Sequence, residues 1–427
     1  MKRLPASEAT RKRIAGLMNE DFSKSALMKA AMQLIIEEAL EAEVEDGLGR
    51  GRYERGGAEA KGYRNGVRPG HLKTAEGPID YAVPQVTGMA EPWVSELRQS
   101  LAGRTEELER LAVEMYARGL SMRDIEAAFT DEMGRCVLSR TAASQVAERL
   151  WTDYQTFAGQ SLSGHKILYL FLDGVAERLH VGQPREPVLV TWGIAETGAK
   201  VLLGLYTASK EDTASARECL RDLKARGMND PILIATDGAP GLIRAVEEVF
   251  PRALRQRCLA HKIRNLGAKV PEERWREVKA HALAAYHAIS PLAARGAAQE
   301  FQRLYEREFP SAVMCFEDDF EACIAQLRLP IAHRKAIRTT NLLERLFLEE
   351  RRRSKIIPHA FGEKPVLKLL FAALERASQS WRRVVISEFE LKQITDLQQQ
   401  VETEFNQSTS TQSNQASLQK FSSKART

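Results

Sequence analysis

Apolar residues Ala26, Leu27, Ala30, Ala31, Leu34, Ile35 and Leu40 recur at helical spacing and place a helical region over residues 1–48. Residues 49–92 break that pattern with Gly49, Gly51, Gly56, Gly57, Gly62, Gly66, Gly70 and Gly77. Within them, Leu72–Pro84 carries Gly77-Pro78 between two short extended runs, which predicts a small β-hairpin or ribbon. Helical spacing returns over residues 93–160. One predicted helix covers Glu106–Arg118 and stops at Gly119. Ser121 and Asp124 have capping-box form and open a second helix to about Met133, which Gly134 ends. Ser139 can cap a third, running past Trp151. Three short helices around a Gly-Leu-Ser turn fit either a helix-turn-helix or a generic three-helix unit; in the first case Arg140, Thr141, Ser144 and Gln145 face DNA.

From residue 165 the period changes to that of strands. Lys166–Leu172 is a buried run ending at Asp173, followed by Pro187–Ala195 and Lys200–Thr207, with Glu196-Thr197-Gly198 as the turn between the last two. A helix over Asp212–Arg226 is closed by Gly227. A fourth strand, Pro231–Thr236, ends at Asp237-Gly238, and a helix over Leu242–Phe250 follows. This order predicts an α/β layered sheet. Residues 262–335 read as almost wholly helical, an inserted subdomain between a first core segment (161–261) and its completion (336–404), where helices are expected from about Arg338 to Arg353 and over 363–404. Ser, Thr and Gln dominate 405–427, which predicts a disordered tail.

The longest apolar runs are strand-sized, far short of the roughly 18 residues of a membrane span, and the N-terminus lacks the apolar stretch of a signal peptide. Five scattered cysteines argue against a disulfide framework. A cytoplasmic protein is expected. Net charge is only +5, so its distribution says more. Residues 50–73 hold seven Lys/Arg against two acids, residues 251–269 six against none, and residues 334–355 eight against three. Such segments suit phosphate contacts, and each alone also suits a solvated helix face.

Candidate chemistry begins with two carboxylates. Ile167–Leu172 leads into Asp173-Gly174, and Ile232–Thr236 leads into Asp237-Gly238. An acid at the end of a buried strand is rigidly held at a sheet edge, and a following glycine lets the backbone turn away. Hard oxygen ligands so placed suit Mg²⁺. A third acid is expected on a helix crossing the sheet. At 100° per residue, Asn341, Glu344 and Arg351 share one side of such a helix, beside an apolar stripe of Leu343, Leu346 and Phe347. On spacing alone, Glu344 reads first as a surface acid pairing with neighbouring arginine. Cys258-Leu-Ala-His261 has no second Cys/His pair near it, and a zinc site needs about four ligands.

Several motifs together resemble the Mutator-type bacterial insertion-sequence transposases. They are Leu172-Asp-Gly-Val175, Arg221–Gly227, Thr236-Asp-Gly-Ala-Pro-Gly-Leu242, Arg257-Cys258-Leu-Ala-His261 and Thr339-Thr-Asn-Leu-Leu-Glu-Arg345 followed by Glu-Glu-Arg-Arg-Arg353. Gly62–Gly66 with Leu72-Lys-Thr74, and Tyr116–Ile125, are also similar, so the likeness spans roughly residues 15–385 in the family's order. It departs at Phe347, where many relatives carry Asn.

The resemblance implies an α/β ribonuclease-H-like mixed sheet core interrupted by an all-helical insertion, preceded by a mainly helical DNA-binding region with a small β-ribbon. It implies that Asp173, Asp237 and Glu344 hold two Mg²⁺ ions, for which Mn²⁺ can substitute, and that Cys258, His261 and Asn341 belong to family motifs of undefined role. The activity implied is cleavage and joining of element ends by hydrolysis and transesterification, without a covalent protein–DNA bond. Partners would be double-stranded DNA, both transposon ends and target, and a second copy of the chain or more, with no membrane; the protein would be bacterial, cytoplasmic and on the nucleoid when bound. DNA contacts are expected from Arg64, Arg68 and Lys73, from Arg140, Thr141, Ser144 and Gln145, from Arg255, Arg257, Lys262 and Arg264, and from Arg345, Arg351, Arg352 and Arg353. Three alternatives are a nuclease or resolvase on the same fold, an inactive transposase-derived DNA-binding protein, and a zinc-dependent regulator using Cys258 and His261.

Overall fold

The structure, a computed structural model, describes residues 6–17, 24–54, 62–101, 103–130, 134–177, 179–180, 184–208, 212–340, 342 and 362–424, with side chains to residue 407. The chain divides into two compact units, residues 1–150 and 151–427. Of the described residues, no helix is long and apolar enough to cross a membrane.

The first unit opens with α1 (Ala6–Leu17) and α2 (Lys24–Leu48). A hairpin follows, β1 (Tyr63–Thr74) and β2 (Gly77–Thr87), antiparallel and longer than its short apolar runs predicted, with an irregularity between Arg64 and Val67. Its inner face, Leu72, Tyr81 and Val83, packs on Ile36 and Leu40 of α2. Buried Glu37 ties these layers together: Thr10 Oγ1 donates to it over 2.7 Å and the Ala82 N–H over 3.0 Å. The short α3 (Glu96–Ser100) and β3 (Gly103–Arg104) lead to α4 (Glu106–Ala117), α5 (Met122–Ala128) and α6 (Arg140–Gly159). The Ser121/Asp124 capping box is formed. Helix α5 ends at Ala128, short of the expected Met133, because Thr130 bridges back to Cys136.

The second unit is built on a five-stranded mixed sheet. Its strands are β4 (Ile167–Glu177), β5 (Glu186–Ala195), β6 (Lys200–Thr207), β7 (Leu233–Thr236) and β8 (Leu254–Arg257), in the order β6-β5-β4-β7-β8. The first three are antiparallel neighbours, and β7 and β8 run parallel to β4 and β7 respectively. Nothing in the apolar pattern announced β8, since Leu254-Arg-Gln-Arg carries one apolar residue. Buried Gln256 compensates: its Oε1 accepts from the Gln326 N–H at 2.8 Å, and its Nε2 donates to the Cys323 carbonyl at 3.2 Å.

Both faces of this sheet are covered. Helices α7 (Thr213–Ala225) and α8 (Pro240–Val249) bury Leu170, Leu172 and Ile234 on one side. On the other, Tyr169, Phe171, Trp192, Leu233 and Ala235 meet α15 (Glu363–Ser378) and α16 (Glu388–Lys424). Phe171 stacks on Trp192 with centroids 3.7 Å apart. Between β8 and that face lie α9 (Leu259–Gly267), α10 (Glu272–Tyr286), α11 (Pro291–Tyr305), α12 (Pro310–Glu317), α13 (Phe320–Ile324), a 3₁₀ turn (Ala325–Arg328) and α14 (Ile331–Ile337). These helices form the expected insertion and have a core of their own, in which Phe316 stacks on Phe301 and Tyr286. The helix predicted from about Arg338 to Arg353 lies, from residue 343 on, outside the described residues. The Ser/Thr/Gln-rich end departs from its expectation: the backbone continues α16 as helix to Lys424.

Candidate functional site

Parallel pairing of β4 and β7 sets Tyr169 opposite Leu233, Leu170 opposite Ile234 and Phe171 opposite Ala235. The pairing ends there, so Asp173 and Asp237 each lie two residues past the last paired positions of neighbouring strands. Side chains alternate along a strand, so Asp173 follows Phe171 onto the face covered by α15 and α16, while Asp237 follows the last residue of β7. The expectation that β4 stops at Asp173 is corrected. β4 continues to Glu177 because β5 pairs with it throughout, setting Asp173 opposite Val190. The opening arises instead where β7 ends at Thr236, one residue before Asp237.

Asp173 is buried, at 5% exposure, and accepts from the Gly174 N–H at 3.1 Å. Asp237 is half-buried and accepts from the Ala239 N–H at 2.9 Å. Gly238 has φ +91°, and a Cβ there would fall 2.4 Å from Nε of Arg257. Glycine therefore lets the turn into α8 form and lets an arginine lie across it.

Cys258 connects the remaining parts. It sits between β8 and α9, fully buried, and its N–H donates to the Thr236 carbonyl at 2.7 Å. Its Sγ accepts from the N–H of Thr340 at 3.3 Å and from the Thr340 hydroxyl at 3.4 Å. The next N–H, of Leu259, donates to the Arg338 carbonyl at 2.9 Å. Residues 338–340, which lead into the Glu344 motif, are thus fastened beside the end of β7, and Leu342 packs against the core on the face of Phe171 and Ala235.

His261, one turn along α9, bonds the Cys258 sulfur. That bond lifts its pKa to about 9 against the opposing effect of burial, with Asp173 and Asp237 adding to the rise. Burial alone would raise the Cys258 thiol, but bonds from His261 and Thr340 outweigh it and hold the thiol below its ordinary value. Both carboxylates thus act on the imidazole electrostatically. Cys258→Ala would leave the buried Thr340 N–H without its acceptor, an expected cost of about 1–3 kcal/mol readable by urea denaturation.

Asp173 and Asp237, two of the three expected acids, thus lie just past the pairing of neighbouring strands, and carboxylates are the hard oxygen donors that Mg²⁺ takes. Glu344, Asn341, Arg345, Arg351, Arg352 and Arg353 lie outside the described residues. Among the described residues, no three His, Cys, Asp or Glu side chains are grouped to hold a metal ion. Sequence reading missed Thr340; a buried hydroxyl next to the third-acid motif carried no distinguishing pattern.

The basic candidates divide. Arg140, Thr141, Ser144 and Gln145 form one exposed row on α6, opposite buried Ala142, Ala143, Val146 and Ala147. Arg68 is exposed and Lys73 half-buried, but Arg64 turns inward and pairs with Glu41 at 3.1 Å. In the second unit Arg264 is exposed, whereas three others are engaged internally. Arg255 meets Asp319 at 2.5 Å, Arg257 meets Asp318 at 2.6 Å, and fully buried Lys262 donates to the Asp318 carbonyl. These three latch β8 and α9 to the α12–α13 turn, so in this conformation they are structural and not open to phosphate.

The chain is similar to several insertion-element transposases. A transposase of insertion element ISRM5 from Rhizobium meliloti is 28% identical over 356 residues, covering 83% of this chain and 88% of its own length. One of IS406 from Burkholderia multivorans is 30% identical over 356 residues, covering 82% and 90%. One of IS6120 from Mycolicibacterium smegmatis is 29% identical over 271 residues, covering 63% and 84%. The Mutator family of transposases matches residues 6–384 as a whole, and the chain belongs to that family.

Proposed function

We propose that this transposase cleaves and joins insertion-sequence ends through a ribonuclease-H-like core in which Asp173, Asp237 and Glu344 hold two Mg²⁺ ions, with Mn²⁺ able to substitute. The observation that carries the reading is the placement of Asp173 and Asp237 two residues past the paired positions of neighbouring strands, both acting on His261, with the chain that leads to Glu344 anchored through Cys258. The strand order, with three antiparallel strands followed by two parallel ones, supports the core assignment.

Asp173, Asp237 and Glu344 would hold Mg²⁺, which would supply an activated water or 3′-hydroxyl and stabilise charge on the leaving oxygen. The chain's own part is placement. The Gly174 and Ala239 N–H groups fix the two carboxylates in orientation. The exposed row on α6 is suited to reading terminal inverted repeats, and two ends must be joined, so a dimer or larger assembly on DNA is expected.

Asp237→Ala tests the reading. Labelled duplexes bearing an element end should be cut by the unaltered protein with Mg²⁺ and left intact by the variant. Retained cutting would remove Asp237 from the mechanism. Supplying pre-cleaved ends separates the transposase from a nuclease on the same fold, since only the former joins them to target DNA.

A further inference from the structure

A groove of about 570 Å³ in the first unit has no part in the catalytic reading. Arg68 of β1, Gln85 and Val86 of β2, Trp93, and Arg98 and Gln99 of α3 line it, and no acidic residue does. Its shape is set by packing: a Cβ on Gly47 of α2 would fall 2.9 Å from the indole Nε1 of Trp93, so that ring is seated firmly against the helix.

Eight described arginines of the unit pair with acids, while Arg13 and Arg50 bond the neutral oxygens of Gln33 and Gly62. Arg11 pairs with Glu38, Arg52 and Arg64 with Glu41, Arg104 and Arg149 with Glu109, Arg110 with Glu107, Arg118 with Glu114, and Arg140 with Glu126. Arg68 and Arg98 have no acidic partner among the described residues, and both open into the one groove. Two uncompensated guanidiniums in a concave, partly apolar site focus positive potential there. Their planar forks match phosphate oxygens, the two glutamine amides add donors, and an indole wall suits the sugar and base faces of a nucleotide chain.

We infer that this groove holds the phosphodiester backbone of a DNA strand, with Arg68 and Arg98 each on a phosphate. The inference rests on the reading that DNA is the substrate and is independent of which residues catalyse. An acidic protein segment would be drawn by the same charges but would leave DNA binding untouched when they are removed.

The test uses the full chain carrying Arg68→Gln with Arg98→Gln. Probes are a fluorescein-labelled 30-base-pair duplex of mixed sequence and the corresponding single strand, titrated at several salt concentrations. Each lost phosphate contact should flatten the plot of log K against log salt by about 0.9 on duplex and about 0.7 on single strand, hence by nearly two or about 1.4 for the pair. The probe whose slope changes identifies the form of DNA in the groove. Arg11→Gln, removing a paired arginine elsewhere in the unit, should leave both slopes as they are. Should the double variant fold poorly, Arg68→Gln alone is expected to give half the change. Unchanged slopes on both probes would overturn the proposal. Asp237→Ala serves as the separating control: retained cutting by that variant would sink the catalytic assignment while leaving the slopes to decide the groove.

Discussion

Asp173→Asn is expected to abolish Mg²⁺-dependent strand cutting, a loss of about a thousandfold or more, without lowering the melting temperature of the metal-free protein. The loss follows from removing a carboxylate whose binding of Mg²⁺ stabilises several kcal/mol of developing charge, where about 4 kcal/mol corresponds to a thousandfold in rate. The unchanged melting temperature follows from the isosteric change. Asparagine keeps the shape of the buried side chain and still accepts from the Gly174 N–H. Asp237 also acts on His261, so the ring keeps an acidic neighbour in the variant. An acid kept for structure behaves oppositely, since its removal breaks an ion pair and destabilises. Single-turnover cutting and thermal melts with and without Mg²⁺ separate the two cases. The unaltered protein should gain melting temperature from the ion and the variant should gain less. Full activity in the variant, or a melt lowered by several degrees without metal, would contradict the assignment.

Gly198→Ala has the largest expected effect on folding. Gly198 lies at the β5–β6 turn with φ +76°, and a Cβ there would fall 1.8 Å from the carbonyl oxygen of Val384. Backbone occupies that space, so no rotamer change can clear it. The Val384 N–H also donates to the Gly198 carbonyl at 2.9 Å, which fastens the link between α15 and α16 to the sheet. Alanine would pay the left-handed strain, roughly 1–2 kcal/mol, and push the link away from its hydrogen bond and from the packing of Trp381 against Trp192. A total of about 3 kcal/mol or more is expected, which for a unit of this size lowers the melting temperature by roughly 6 °C or more. A variant melting within about 1 °C of the parent would show that the turn and the link move freely together.

Much of the fold was legible along the chain because its signals are local. The capping box of Ser121 and Asp124, the strands around Asp173 and Asp237, the turn at Gly198 and the exposed row on α6 each follow from periodicity or turn chemistry within a few residues. The exceptions share a cause. β8 is a strand because it pairs with β7 and buries Gln256 against residues about 70 positions away, which no apolar pattern encodes. Helix α5 ends early because of a bridge to Cys136.

The candidate site divides in the same way. The sequence by itself determined which acids end or interrupt buried strands, because burial, strand period and a following glycine are written in adjacent residues. Only the tertiary structure decided that Asp173 and Asp237 follow the paired positions of neighbouring strands, that Cys258 fastens the approach to Glu344 through Thr340, and that Arg255, Arg257 and Lys262 turn to Asp318 and Asp319 while Arg68 turns to no acid among the described residues. The physical reason is that a charge is defined by its neighbours in space. Residues 56 to 64 positions apart neutralise one another here, and no run of like charge along the chain reveals which of its members will be left for DNA.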